Sequence, residues 1–144
     1  MYRNTEGYSD PTAGKAVGNM MREYKNEQKK KWRRQYEVKN RPKVYVASKY
    51  AGDIDANVAA AVDYCKYVIS QNMIPVAGHL LYPQMLDDNN SNERELGLMF
   101  GLSLLAICDE VWCFGDVSAS VGVQQELVEA KKLGKKIRYL KEGF

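Results

Sequence analysis

From Pro42 onward the apolar residues fall in short blocks, alternately continuous and spaced. KVYVAS (43–48) is an almost unbroken apolar run and reads as a buried strand. DIDANVAAAVDYCKYVISQN (53–72) places Val58, Ala61, Val62, Cys65 and Val68/Ile69 at helical intervals. MIPVAG (73–78) reads as a second strand, and HLLYPQMLDDNNS (79–91) as a loop. That loop is longer than most connections, which marks it as functional. NERELGLMFGLSLLAI (92–107) is a helix, DEVWCFG (109–115) a third strand, VGVQQELVEAKKLG (121–134) a helix closed by Gly134, and KKIRYL (135–140) a fourth strand. Strand and helix alternate three times over. The expectation is an α/β fold: a three-layer, Rossmann/flavodoxin-like parallel sheet of about four strands flanked by helices. Ligands of such sheets bind outside the carboxyl ends of the strands. The loops there are Lys49–Gly52, Gly78–Asn92 and Gly115–Ser120, and they hold nearly all the unusual polar residues. There is no internal repeat and no low-complexity tract.

The segment before Pro42 is different. Asp10 followed by Pro11 predicts a helix start, with Asp at the N-cap and Pro at the first helical position. Gly14 and Gly18 weaken a helix but permit close packing. Tyr24, Trp32 and Tyr36 share one stripe at multiples of four. This predicts an amphipathic helix packing on the domain or on a second subunit; a nucleic-acid-binding arm is the sharper alternative. Arg41-Pro42 ends the segment. Residues 1–41 are thus a basic helical arm and 42–144 a separate α/β domain.

Charge sharpens that division. Residues 1–41 hold 11 Lys/Arg against 5 Asp/Glu, a balance of +6, while residues 42–144 hold 10 against 13, a balance of −3. A slightly acidic domain argues against nucleic acid running over it, so any such partner belongs to the arm. With 45% hydrophobic residues in 144, one globular core is expected. No apolar run is long enough to span a bilayer, and MYRNTEGYSD lacks the apolar core of a signal peptide, so no membrane association and a cytoplasmic location are expected. Cys65, Cys108 and Cys113 fit no common zinc spacing and read as small buried hydrophobes. His79 is the one histidine, which excludes a multi-histidine metal site within the chain. No metal is expected. There is no G-x-G-x-x-G or Walker pattern, and no cofactor is expected either.

Each loop offers candidates. In ASKYAGD, Ser48 ends the strand and Gly52 allows a tight turn; Asp53 or Asp55 caps the helix, or Ser48 or Tyr50 contacts a ligand. The second loop holds His79, Tyr82, Asp87 and Asp88. The aspartates read either as a solvated turn and N-cap or as carboxylates that grip sugar hydroxyls or move protons. Arg94 is placed to hold one of them or a phosphate. In the third loop Gly115 leads towards Ser120, an N-cap, and Gly122, which lets a ligand approach the backbone; together they make a small anion site at a positive helix end.

Glu126 is the strongest signal. With Val123 at the centre of the apolar face, Leu127 and Ala130 fall beside it at about 100° per residue, and Glu126 lies at the edge of that face, roughly 60° from its centre. Its neighbours four residues away are Gly122 and Ala130, so no lysine or arginine explains it as a surface ion pair. The carboxylate is expected to look into a pocket at the end of the sheet. An anion site about two turns away suits a sugar phosphate whose anomeric carbon lies near Glu126.

These residues resemble a known family. SVGVQQELVEA (120–130) followed by GKKI resembles the S-x-G-x-x-x-E-x-x-x-A…G-K-P-I element of nucleoside 2-deoxyribosyltransferases and 2'-deoxynucleoside 5'-monophosphate N-glycosidases. VYVASKYAGDIDANVAAAVDYC, IPVAGHLLYPQMLDD, ERELGLMFGLSLL and CDEVWCFG look like the nucleoside-deoxyribosyltransferase-like domains of phages and mobile elements. The resemblance spans residues 43–140 and leaves out the arm. It implies a nucleoside or nucleotide ligand, a homo-oligomer, and Glu126 as the nucleophile that attacks C1', expels the base and forms a glycosyl ester. It also implies that Ser120 and the Gly122 backbone hold a 5'-phosphate and that Tyr50 orients the carboxylate. One departure stands out. The enzymes carry an aspartate on the helix before the third strand, and here no acid lies between Glu95 and Asp109; the corresponding position is near Gly101. Asp87 or Asp88 replaces it from the loop, or the domain binds a nucleotide without turning it over.

Overall fold

The computed structural model describes residues 11–141. The chain divides between Asn40 and Arg41 into two compact units. The first is one long helix, α1 (Pro11–Lys39). The expected N-cap, Asp10, lies outside the described residues. Within α1 the i, i+4 pair Trp32 and Tyr36 stacks with ring centroids 5.4 Å apart.

The second unit runs β1 (Lys43–Ala47), α2 (Ile54–Ser70), β2 (Ile74–Val76), α3 (Ser91–Ala106), β3 (Glu110–Phe114), α4 (Val121–Lys132) and β4 (Lys136–Leu140). The four strands form one parallel sheet in the order β2-β1-β3-β4. This is the expected three-layer α/β fold. The chain leaves β1 towards β2 on one side and returns to β3 on the other, so the topological switch point lies between β1 and β3.

Strand alternation sorts the core into two layers. Val44, Val46, Trp112 and Phe114 face one way and pack with Val68, Tyr64 and Tyr67 of α2. Tyr45, Ala47, Val111 and Cys113 face the other way and pack with Leu105 of α3 and Val123, Leu127 and Ala130 of α4. Each of the larger apolar side chains contributes roughly 1.5–3 kcal/mol by leaving water.

The buried face of α2 keeps Ala61 and Val68 of the predicted stripe, with Val58 and Cys65 half-buried, and departs from it at its margins. Asn57, Ala61 and Val68 are buried, whereas Val62 and Ile69 are 40% and 54% exposed. Asp55, Asp63, Lys66 and Ser70 share the exposed face of the helix, and Val62 and Ile69 lie at its margins. The long second loop is also more regular than expected, with single 3-10 turns at Gly78–Leu80 and Tyr82–Gln84. Cys108 and Cys113 are buried and Cys65 is half-buried; all three are free thiols. No helix among the described residues is long and apolar enough to cross a membrane.

Candidate functional site

The loop after β1 is held from below. Gly52 has φ +102°, a conformation that an L side chain resists. Asp53 then caps α2, its Oδ1 accepting from Ala56 N at 3.2 Å. Buried Asn57 reaches back, its Nδ2 donating to the carbonyls of Tyr50 at 3.0 Å and Ala51 at 2.9 Å. The loop after β3 turns at Gly115 (φ +74°) and closes on Asp116, whose Oδ1 accepts from Ser118 N at 3.1 Å and Ser118 Oγ at 2.8 Å. These two bonds lower the Asp116 carboxyl. Ser120 caps α4 as expected, its Oγ accepting from Val123 N at 3.4 Å. Gly122 faces open space.

Capping at Ser120 sets the rotation of α4, with Val123, Leu127 and Ala130 inward. Glu126 then lies at the edge of the buried face. Its Oε1 accepts from the Tyr45 hydroxyl at 3.1 Å. Desolvation pushes the Glu126 carboxyl up to about 7, although the Tyr45 hydrogen bond pulls the other way. Burial first, and the Glu126 charge second, drive the Tyr45 phenol well above its ordinary range. The Cys113 thiol is pushed up to about 11 by burial and by Glu126.

Two glycines make room for this pair. A Cβ on Gly101 of α3 would stand 3.1 Å from the Tyr45 hydroxyl and 4.0 Å from Glu126 Oε1. A Cβ on Gly78 would stand 3.3 Å from the same hydroxyl and 3.6 Å from Tyr82 Cδ2. The place into which a side chain at position 101 would project is therefore filled by the phenol from β1.

The structure brings several expected residues together. Ser48 is buried at the end of β1, and its Oγ lies 2.9 Å from His79 Nε2 in a hydrogen bond. Burial lowers the His79 imidazole to about 4, so it is neutral at physiological pH. Tyr82 packs on Phe100 with ring centroids 5.2 Å apart. Ser48 and Gly115 line a cleft of about 90 Å³ at the switch point, with Lys49, Tyr64 and Phe114. Pockets that enclose a small molecule measure roughly 300–1,000 Å³. The cleft is too small to enclose such a ligand. A wider depression of about 350 Å³, lined by Val121, Gln125 and Val128, lies on the outer side of α4 and includes no titratable group.

Other expected residues stand apart. Asp87 and Asp88 are exposed, and Asp87 Oδ1 is engaged with Asn89 N at 2.9 Å in a local turn. The cap of α3 is Asn90, which accepts from Asn92 N and Glu93 N. Arg94 is exposed and forms no ion pair with either aspartate among the described residues. Tyr50 contributes its carbonyl to Asn57, and the phenol bonded to Glu126 is that of Tyr45, five residues earlier. Tyr45 had a legible signal. It is the one hydroxyl-bearing residue within V-Y-V-A, and a buried phenol needs a partner for its proton. The partner itself, 81 residues on, was not legible.

A family model described as a domain of unknown function (DUF7768) matches residues 42–140. The chain belongs to that family. No curated protein matches it significantly. Among solved structures, the DUF7768 fold is similar to that of a 2-deoxyribosyltransferase from Bacillus psychrosaccharolyticus. The TM-score is 0.57 over 69% of this chain and 72% of that one, at 15% identity.

Proposed function

We propose that the DUF7768 domain binds a nucleoside or nucleotide at the carboxyl edge of its sheet and acts on the N-glycosidic bond, with Glu126 as nucleophile. The observation that supports this most is the Tyr45–Glu126 pair: a carboxylate oriented by one hydroxyl between β1 and α4, in a fold similar to that of a deoxyribosyltransferase. A carboxyl near 7 is ionised in about half the molecules at neutral pH and is more basic than a surface glutamate. Ser120 and the Gly122 backbone take a 5'-phosphate in this reading, and Ser48, His79 and Tyr82 line the remainder. Self-association belongs to the same reading; a mass that stays monomeric in sedimentation at tens of micromolar would remove it.

A second reading, a nucleotide-binding protein without turnover, draws on the Gly101 position. There the Tyr45 hydroxyl stands where a second acid would project. One experiment separates the two. The protein is incubated with deoxynucleosides, deoxynucleoside monophosphates, ribonucleotides and cyclic nucleotides, and free base and unbound ligand are followed by chromatography with mass detection. Base release that disappears with Glu126→Gln is the expected result. A ligand that is depleted and then recovered intact on denaturation would establish the binding protein instead.

A further inference from the structure

A neutral purine or pyrimidine that leaves C1' with the bonding electrons becomes an anion unless a proton reaches it, and a positioned acid contributes about 10²–10⁴-fold to such steps. The groups gathered around Glu126 are poor sources of that proton. The Tyr45 hydroxyl is already donated to Oε1 and is bound far more tightly than an ordinary phenol's proton. Cys113 holds its proton up to about 11. His79 has lost its second proton above about pH 4, and its Nε2 is engaged with Ser48. Gly78 and Gly101 carry nothing, and a side chain at 101 would meet the Tyr45 hydroxyl at 3.1 Å from its first atom. Among the described residues, Glu126 is the one group near the site that titrates around neutrality, and it must be ionised to attack.

Beside this acid-poor centre stands an aromatic wall. Phe100 directly precedes Gly101 on α3 and is 40% exposed. Its ring meets Tyr82 at 5.2 Å and 55°. Tyr82 in turn lies 3.6 Å from the Cβ position of Gly78, which is 3.3 Å from the Tyr45 hydroxyl. Aromatic faces attract cationic rings.

We propose that this site cleaves N-glycosidic bonds whose ring nitrogen already bears the positive charge, as in pyridinium nucleosides and nucleotides and in N7-alkylated purine nucleosides, with Tyr82 and Phe100 as the wall on which that ring lies. The inference rests on the reading of Glu126 as nucleophile and narrows its substrate. The Glu126 carboxylate forms a bond to C1' as the C1'–N bond breaks. The electron pair goes to the ring nitrogen, the ring departs neutral, and no proton moves. Water then attacks C1', the ester bond breaks, the carboxylate is restored, and one proton passes to solvent.

The test uses the full chain with matched substrates: guanosine and N7-methylguanosine, their 2'-deoxy counterparts, and nicotinamide mononucleotide. Each is run with wild type, Glu126→Gln and Phe100→Ala, and corrected for spontaneous loss. The expected kcat/KM for the cationic member of a pair exceeds that of the neutral member by about 100-fold or more. Phe100→Ala raises KM for the cationic member about two- to fivefold. The rate on nicotinamide mononucleotide, whose ring charge does not titrate, rises with pH to a plateau without an alkaline fall. Glu126-dependent cleavage of the neutral members at comparable rates, or an alkaline fall on nicotinamide mononucleotide, overturns this inference and leaves the nucleophile reading standing. Absence of Glu126-dependent cleavage for every substrate overturns both.

Discussion

On the α2 side of the sheet, Trp112 and Phe114 pack among Val44, Val46, Val68, Tyr64 and Tyr67, with Tyr64 stacked on Phe114 at 4.6 Å. The Trp112 indole is finished at its rim by Glu110 Oε1, 3.4 Å from Nε1, and by Arg138 over the ring at 4.7 Å. On the opposite side, α3 and α4 pack an equally apolar layer, yet Tyr45 and Glu126 sit within it, with glycines at 78 and 101 cleared around them. One face is filled with rings, with the small cleft at Ser48 and Gly115 opening beside Tyr64 and Phe114. The other carries glycines where the half-buried Glu126 carboxylate meets the Tyr45 hydroxyl. Burial of a charge costs free energy unless it is compensated, and a single phenol compensates only in part. In the proposed reading that cost marks the face that carries the chemistry.

Substitutions should separate the two faces. The largest effect belongs to Glu126→Gln. With Glu126 as the proposed nucleophile, turnover should fall by about 10⁴-fold or more. Stability should move the opposite way. The Glu126 carboxyl titrates near 7 in the folded chain against 4.5 in its ordinary state, so the folded state binds the extra proton between those values. The penalty is absent below about pH 4.5, grows as pH rises towards 7, and is constant above. Glu126→Gln should therefore raise the melting temperature at pH 8, by as much as about 3 kcal/mol of stability, and leave it nearly unchanged at pH 4. An equal shift at both pH values would show that the carboxylate is not desolvated.

Phe114→Ala tests the ring-filled face. It should cost about 3–5 kcal/mol in denaturant titration while the pH dependence of turnover stays in place. If the inflection moved with it, the two faces would not be independent.

Gly101→Ala comes next. The added methyl meets the Tyr45 hydroxyl, and the expected cost is about 1–3 kcal/mol. In a Tyr45→Phe background the obstructing oxygen is gone, so the cost should shrink; a double-mutant cycle with no coupling would contradict the packing described. Tyr45→Phe alone removes the bond that holds the Glu126 carboxyl down, so the inflection of rate against pH should rise above 7. A downward move would mean that the phenol does not donate to Oε1. Ser120→Ala is the smallest of the set, about 1 kcal/mol from the lost cap of α4, read by thermal melting.

The sequence by itself determined the order and type of elements in residues 42–140, because alternating strand and helix patterns of this length admit a parallel sheet and little else. Local chemistry also determined the caps at Asp53 and Ser120, the turn at Gly52, and the place of Glu126 at the edge of an amphipathic face. These depend on neighbours within one or two turns of chain, where spacing alone carries the information. Tertiary structure decided what spacing cannot reach. Tyr45 and Glu126 meet across 81 residues because β1 and α4 are brought together on one side of the sheet. The acid-bearing stretch Asp87–Asp88 stays in its own turn, and Gly101 proves to be the space taken by a phenol from another strand. The margin of the buried face of α2 was also settled by packing, since Val62 and Ile69 stay exposed while Asn57 turns inward to the loop after β1.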